Sequence, residues 1–216
     1  MLFYAQVILI VCFASCNESK NKDVQLLSQD KIDSINKAVS EEISGMTSAK
    51  SEGINKIDSA KVKELEKYFT FEEDEFDVNK RKWIKPKSAA RYANQNSVYL
   101  YFSADEKGPD VLRLRFQYCA NDWLFIKKYI FNIDGFPIEF TPGEVKRDNQ
   151  AYQIWEWSDD PMTGFETNLV EAIESCESIK VKIIGSDYEE VKTISNKEID
   201  AMKKSIELYK AMGGII

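Results

Sequence analysis

Alternation of apolar and polar positions is clearest across residues 111–140. Leu112, Leu114, Phe116 and Tyr118 alternate with Arg113, Arg115 and Gln117. That period of two predicts a half-buried strand. A second apolar run begins at Trp123, Leu124, Phe125 and Ile126 and continues to Ile133, and a third runs from Phe136 to Phe140. Asn121-Asp122 and Asp134-Gly135 separate the runs. Asp-Gly tolerates the positive φ of a tight type I′ turn and is the stronger hairpin signal. The pattern predicts three antiparallel strands in succession. The middle one is apolar on both faces at 123–126 and calls for cover on both sides.

Upstream, Ile32, Ile35, Val39, Ile43 and Met46 recur at helical spacing, as do Ile54, Ile57, Leu65 and Phe69 with Val62 near the same stripe. Both predict amphipathic helices, with the break between Gly45 and Gly53. Strands are predicted at Trp83-Ile84, at 97–102 and at 152–157, where Trp155 and Trp157 share a face. Lys107-Gly108-Pro109-Asp110 reads as a turn. Pro137 lacks an N–H and places its strand at an edge or at its very start.

Thr163-x-x-Glu166 reads as a capping box, followed by Phe165, Leu169, Ile173 and Cys176 on one helical face. Residues 179–183 alternate, Gly185-Ser186-Asp187 turns the chain, and 188–194 returns it. Ser195-x-x-Glu198 opens a last helix with Ile199, Met202, Ile206 and Tyr209 buried, and Gly213-Gly214 stop it. Strands and helices are segregated, which predicts an α+β fold. The expected arrangement is an antiparallel sheet of about five to seven strands, with C-terminal helices packed on one face and N-terminal helices ahead of it.

Composition narrows the function. The chain has 216 residues, 44% hydrophobic and 30% charged, as suits one folded domain with an extension. A net charge of −7 argues against nucleic acid as a partner, since a phosphate backbone needs a basic face. There is no histidine, so no Ser-His-Asp or Cys-His triad can be built and zinc loses its commonest ligand. Any acid–base chemistry would fall to Asp, Glu, Lys or Tyr. No motif recommends a cofactor.

The N-terminus carries an address. Residues 7–13 are apolar, far short of the about 20 residues of a membrane span but suited to a secretory signal. Phe13-Ala14-Ser15-Cys16 follows, and then polar residues 17–23. This pattern resembles the lipobox of bacterial lipoproteins. Phe13 stands where Leu is more usual, and no Lys or Arg precedes Lys20. The resemblance implies a signal peptide over 1–15, cleavage between Ser15 and Cys16, and a lipid on Cys16. It also implies a membrane as partner through that anchor. Asn17 after the cysteine is compatible with release to the outer membrane. The expected organisation is then a tether with amphipathic helices over 16–70 and a globular α+β domain over 71–216.

Candidate chemistry in the domain is sparse. Cys119 lies on a strand face with Arg113 and Arg115, and Cys176 on the apolar face of its helix, so their placement argues against a disulfide unless a bulge at Asn121 reverses it. The acidic run 71–77 lacks the ligand order and glycine of an EF-hand, and reads as a solvated turn beside its basic neighbour, residues 80–87. Asp159, Asp160, Glu189 and Glu190 are the acids that could form a hydrolytic pair. Trp155 and Trp157 are the candidates for a binding surface, Trp157 being the better placed for exposure because a turn follows it. Two functions are consistent with these residues: a lipid-anchored envelope module that binds an unspecified protein or small molecule without catalysis, or an envelope hydrolase that uses carboxylates.

Overall fold

The computed structural model describes residues 57–73 and 75–216, all within one compact unit. The expected signal peptide over 1–15, Cys16 and the helix expected over 32–46 lie outside the described residues. In chain order, helix α1 (Ser59–Leu65) and a 3-10 turn (Glu66–Tyr68) lead into β1 (Phe69–Glu73), β2 (Lys82–Pro86), β3 (Ser97–Asp105) and the short β4 (Gly108–Pro109). Next come β5 (Arg113–Ala120), β6 (Lys128–Ile133), β7 (Phe136–Phe140), β8 (Val145–Gln150) and β9 (Gln153–Pro161). Helix α2 (Thr167–Ser175), β10 (Ile179–Ile184), β11 (Glu189–Thr193) and helix α3 (Asn196–Ala211) complete the chain. The fold is α+β with antiparallel pairing throughout.

There are two sheets rather than one. The larger has seven strands in the order β1-β2-β3-β5-β9-β8, with β4 attached to β3, and the smaller has four in the order β11-β10-β6-β7. The inner faces meet: Phe116 of β5 packs on Tyr129 of β6 with ring centroids 4.5 Å apart, and on Phe131 at 6.3 Å. Beside the smaller sheet, α3 lies against β3. The Ser205 hydroxyl donates to the Leu100 carbonyl at 2.8 Å, and Phe102 meets Tyr209 edge to face at 5.2 Å. One apolar cluster joins both sheets and all three helices.

The second sheet overturns the expectation of three successive strands. β5 pairs with β3 and β9, whereas β6 pairs with β10 and β7. Residues 123–127 form no strand but cross from one sheet to the other. They are apolar because the crossover is partly buried, with Leu124 and Ile126 inside. A buried loop must find partners for its backbone. Here Glu156 of β9 supplies them: its carboxylate accepts the N–H groups of Leu124 (2.7 Å), Phe125 (2.8 Å) and Ile126 (2.9 Å), and Arg147 Nε at 3.0 Å. On the far side Gly185 approaches so closely that a Cβ there would stand 1.9 Å from the Leu124 carbonyl oxygen.

Local signals fare unevenly. Asp134 and Gly135 have φ of 50° and 94°, as a type I′ turn requires, and β7 with Pro137 is an edge strand. Ser195 and Glu198 form a complete capping box. At Thr163 the expected capping box does not form: its side chain makes no cap bond, a 3-10 turn intervenes, and Phe165 is exposed. The second expected helix stops at Leu65, and Phe69 belongs to β1. Both Leu65 and Phe69 are core residues, so a domain boundary at 71 runs through β1.

Candidate functional site

The outer face of the larger sheet turns away from the core. On β5 it presents Arg113, Arg115, Gln117 and Cys119, because Leu114, Phe116 and Tyr118 take the inner face. Opposite them stand Tyr101, Tyr99 and Ser97 on β3, and Pro161, Asp159, Trp157 and Trp155 on β9. β3 is buried along most of its length on both faces. Val98, Leu100 and Phe102 belong to the core, while Tyr99 and Tyr101 are buried on the outer side. Part of that cover comes from residues 87–96, whose Tyr92 carbonyl accepts from Gln117 Nε2 at 3.3 Å. Asn96 clips the same segment to β5, bonding both the N–H and the carbonyl of Cys119 at 3.0 Å.

Between this connection and the sheet lies a cleft of about 590 Å³. Tyr99, Tyr101, Arg115, Gln117 and Asp159 form its floor, and Lys85, Lys87, Arg91 and Tyr92 stand around it. Asp159 organises the floor. Its Oδ1 accepts from Arg113 Nε at 2.7 Å, and its Oδ2 accepts from the Tyr101 hydroxyl at 2.6 Å and from Arg115 Nη1 at 3.2 Å. The Arg115 guanidinium also sits 5.4 Å from the centre of the Trp157 ring. Burial, reinforced by the bond to Asp159, pushes the Tyr101 phenol well above its ordinary value, and burial raises Tyr99 as well. Both hydroxyls therefore remain protonated donors at neutral pH.

Three buried side-chain atoms among the described residues lack a hydrogen-bond partner: Arg115 Nε, Gln117 Oε1 and Asp160 Oδ2. Two of the three belong to residues that floor this one cleft. Such atoms are rare in native structures because leaving one unpaired costs about 1–3 kcal/mol.

The candidate acids do not converge. Asp159 faces the cleft, while Asp160 points to the opposite side and accepts the Gly143 N–H at 2.7 Å. Glu189 pairs with Lys182 at 2.7 Å, and Glu190 accepts the Tyr118 hydroxyl at 2.6 Å on the inner side. Trp155 and Trp157 do share the outer face; Trp155 is buried and Trp157 half-buried. Cys119 and Cys176 are free thiols, and burial raises both above the ordinary thiol range. The acidic run is met by its basic neighbours, Glu72 by Lys85 at 2.8 Å and Glu73 by Lys82 at 2.6 Å. Among the described residues no cluster of acids and cysteines is set to hold a metal, and no helix is long and apolar enough to cross a membrane.

Tyr99, Tyr101, Arg115 and Gln117 were not singled out by sequence as site residues. A signal for them exists: 98–102 is apolar without a break, which marks a strand covered on both faces. Comparison with known proteins finds no matching family model, no matching curated protein and no matching solved structure.

Proposed function

We propose that this chain is a lipid-anchored protein of the bacterial cell envelope, held at the outer membrane through Cys16, whose folded domain binds a ligand or partner without catalysis. The C-terminal helices and the smaller sheet serve as cover for the inner face of the larger sheet, which leaves the outer face for recognition. The helix expected over 32–46 belongs to the tether, while α1 packs into the domain core through Leu65.

One observation carries the binding half of this reading. On the outer face, aromatic and charged side chains gather around a cleft, and two of its lining residues, Arg115 and Gln117, each bury a polar atom with no partner. The separation of Asp159, Asp160, Glu189 and Glu190 supports recognition over hydrolysis, since a glycosidase-type mechanism needs two carboxyls facing one bond. The anchor rests on the run from the apolar segment 7–13 through Ala14-Ser15-Cys16 to the polar residues beyond. Metabolic labelling with a fatty-acid analogue in a bacterial host tests it. Label should enter the protein and vanish in Cys16→Ser; undiminished label in that variant contradicts the anchor.

A further inference from the structure

We infer that the cleft beneath residues 87–96 takes a small carboxylate that carries a neighbouring hydroxyl or amide N–H. This rests on the reading of the outer face as the recognition face and adds the chemistry of what is recognised.

Charge comes first. The chain as a whole is at −7, yet the cleft is lined by four cations, Lys85, Lys87, Arg91 and Arg115, against two carboxylates, Glu72 and Asp159. Both carboxylates are already engaged: Glu72 holds Lys85, and Asp159 holds Arg113, Arg115 and Tyr101. Arg91 makes no ion pair with any described residue, its guanidinium resting 5.4 Å from the centre of the Tyr92 ring. Arg115 keeps its Nε–H unpaired. The lining therefore attracts an anion. A guanidinium suits a carboxylate because its N–H groups match two oxygens in one plane.

Hydrogen bonding narrows the ligand further. Gln117 is only 3% exposed, and its Nε2 donates to the Tyr92 carbonyl. That bond fixes which end of the amide faces which way, since a flipped amide would set oxygen against oxygen. Oε1 is consequently an acceptor with no donor. A bare anion such as sulfate would leave it unpaired and repel it. Both atoms are buried, so a ligand reaches them only by shifting the side chains of the cleft floor; one with an O–H or N–H beside its carboxylate then satisfies Arg115 and Gln117 together. These two residues point the same way, two positions apart on β5. Tyr99 and Tyr101, with ring centroids 5.7 Å apart, make the same floor aromatic. The volume of about 590 Å³ falls within the range of small-molecule sites.

A sugar acid and an amino-acid carboxylate share this chemistry, and calorimetry on the full chain separates them. The probes are glucuronate and N-acetylalanine, with glucose and N-acetylalanine amide as their neutral counterparts. At least one carboxylate should bind about tenfold more tightly than its neutral counterpart. Heat from glucuronate alone assigns the sugar acid, and from N-acetylalanine alone the peptide-like ligand. Gln117→Glu, near-isosteric but negative, should weaken the carboxylate about tenfold or more. Arg91→Ala, on the exposed rim and outside the core, should weaken it several-fold. Neutral probes that bind as tightly, and that Gln117→Glu also weakens, overturn the carboxylate while leaving the outer face as the recognition face. Binding that neither variant alters overturns both. No heat from any of the four probes overturns the inference.

Discussion

Glu156 and Asp159 stand three positions apart on β9 and face opposite sides of the larger sheet. Glu156, fully buried, gathers three backbone N–H groups and one guanidinium, and so closes a crossover that would otherwise bury unpaired donors. Asp159 gathers two arginines and a tyrosine, but the cluster around it stays open: Arg115 Nε and Gln117 Oε1 remain without partners beside a cleft. Similar carboxylates on one strand thus serve different ends. The first ties two sheets together, and the second positions side chains that something else can complete.

Truncating the closed cluster should cost most. Glu156→Ala strands the crossover donors and Arg147 at once, and a loss of about 3–5 kcal/mol in a urea melt is expected. A loss below about 1 kcal/mol would mean that water replaces the carboxylate and that the crossover is not held by it. Trp155→Ala should cost about as much, because the ring is buried, whereas Trp157→Ala on the same face should cost about 1–2 kcal/mol. Equal large losses would place both rings in packing and remove Trp157 from the recognition face.

Residues 123–126 show what sequence can and cannot convey. Their apolar character was legible, but the expected cover on both sides is found on one only: Leu124 and Ile126 are buried while Phe125 is exposed. Their conformation was not legible, because a short apolar run reads alike as a buried strand and as a buried loop. What decides is Glu156, 30 to 32 positions away. A lone Glu within an aromatic strand gives no local sign that it faces inward to serve backbone N–H groups. The capping boxes teach the same lesson. Ser195 and Glu198 complete theirs beside a stripe that packs on β3. Thr163 and Glu166 match in letters, but the chain enters α2 through a 3-10 turn, with Gly164 at φ 64°. For the site, the outward set of Arg113, Arg115 and Gln117 was visible as alternation, which marks a face without saying what lies over it. Its cover by 87–96 rests on the Gln117–Tyr92 bond and on the bonds of Asn96 to Cys119, which no periodicity encodes.

The open cluster should respond more gently. Tyr101→Phe removes one donor from Asp159 while Arg113 and Arg115 remain, so a loss of about 1 kcal/mol in the same melt is expected. A much larger loss would make Asp159 as structural as Glu156. Asp134 offers the mildest contrast, an exposed carboxylate that also serves backbone N–H groups. It accepts from Glu177 and Ser178, and those bonds hold its pKa below the ordinary Asp value. With the folded value depressed, its stabilisation is full above the unfolded pKa and fades as pH falls through the folded one. Asp134→Ala should therefore flatten the acid side of the stability profile below about pH 4 and leave its shape unchanged near neutrality. An unchanged acid limb would assign that dependence to other carboxylates.

The outer face as a recognition surface is tested most directly by nitrogen–proton NMR of the arginine and tryptophan side chains during a glucuronate or N-acetylalanine titration. The Arg115 Nε–H and the Trp157 indole N–H should shift together and saturate, while the indole of Trp123, stacked on Phe125 at the crossover, stays in place. Shifts confined to Trp123, or Arg115 and Trp157 signals that do not move with either carboxylate, would contradict the account.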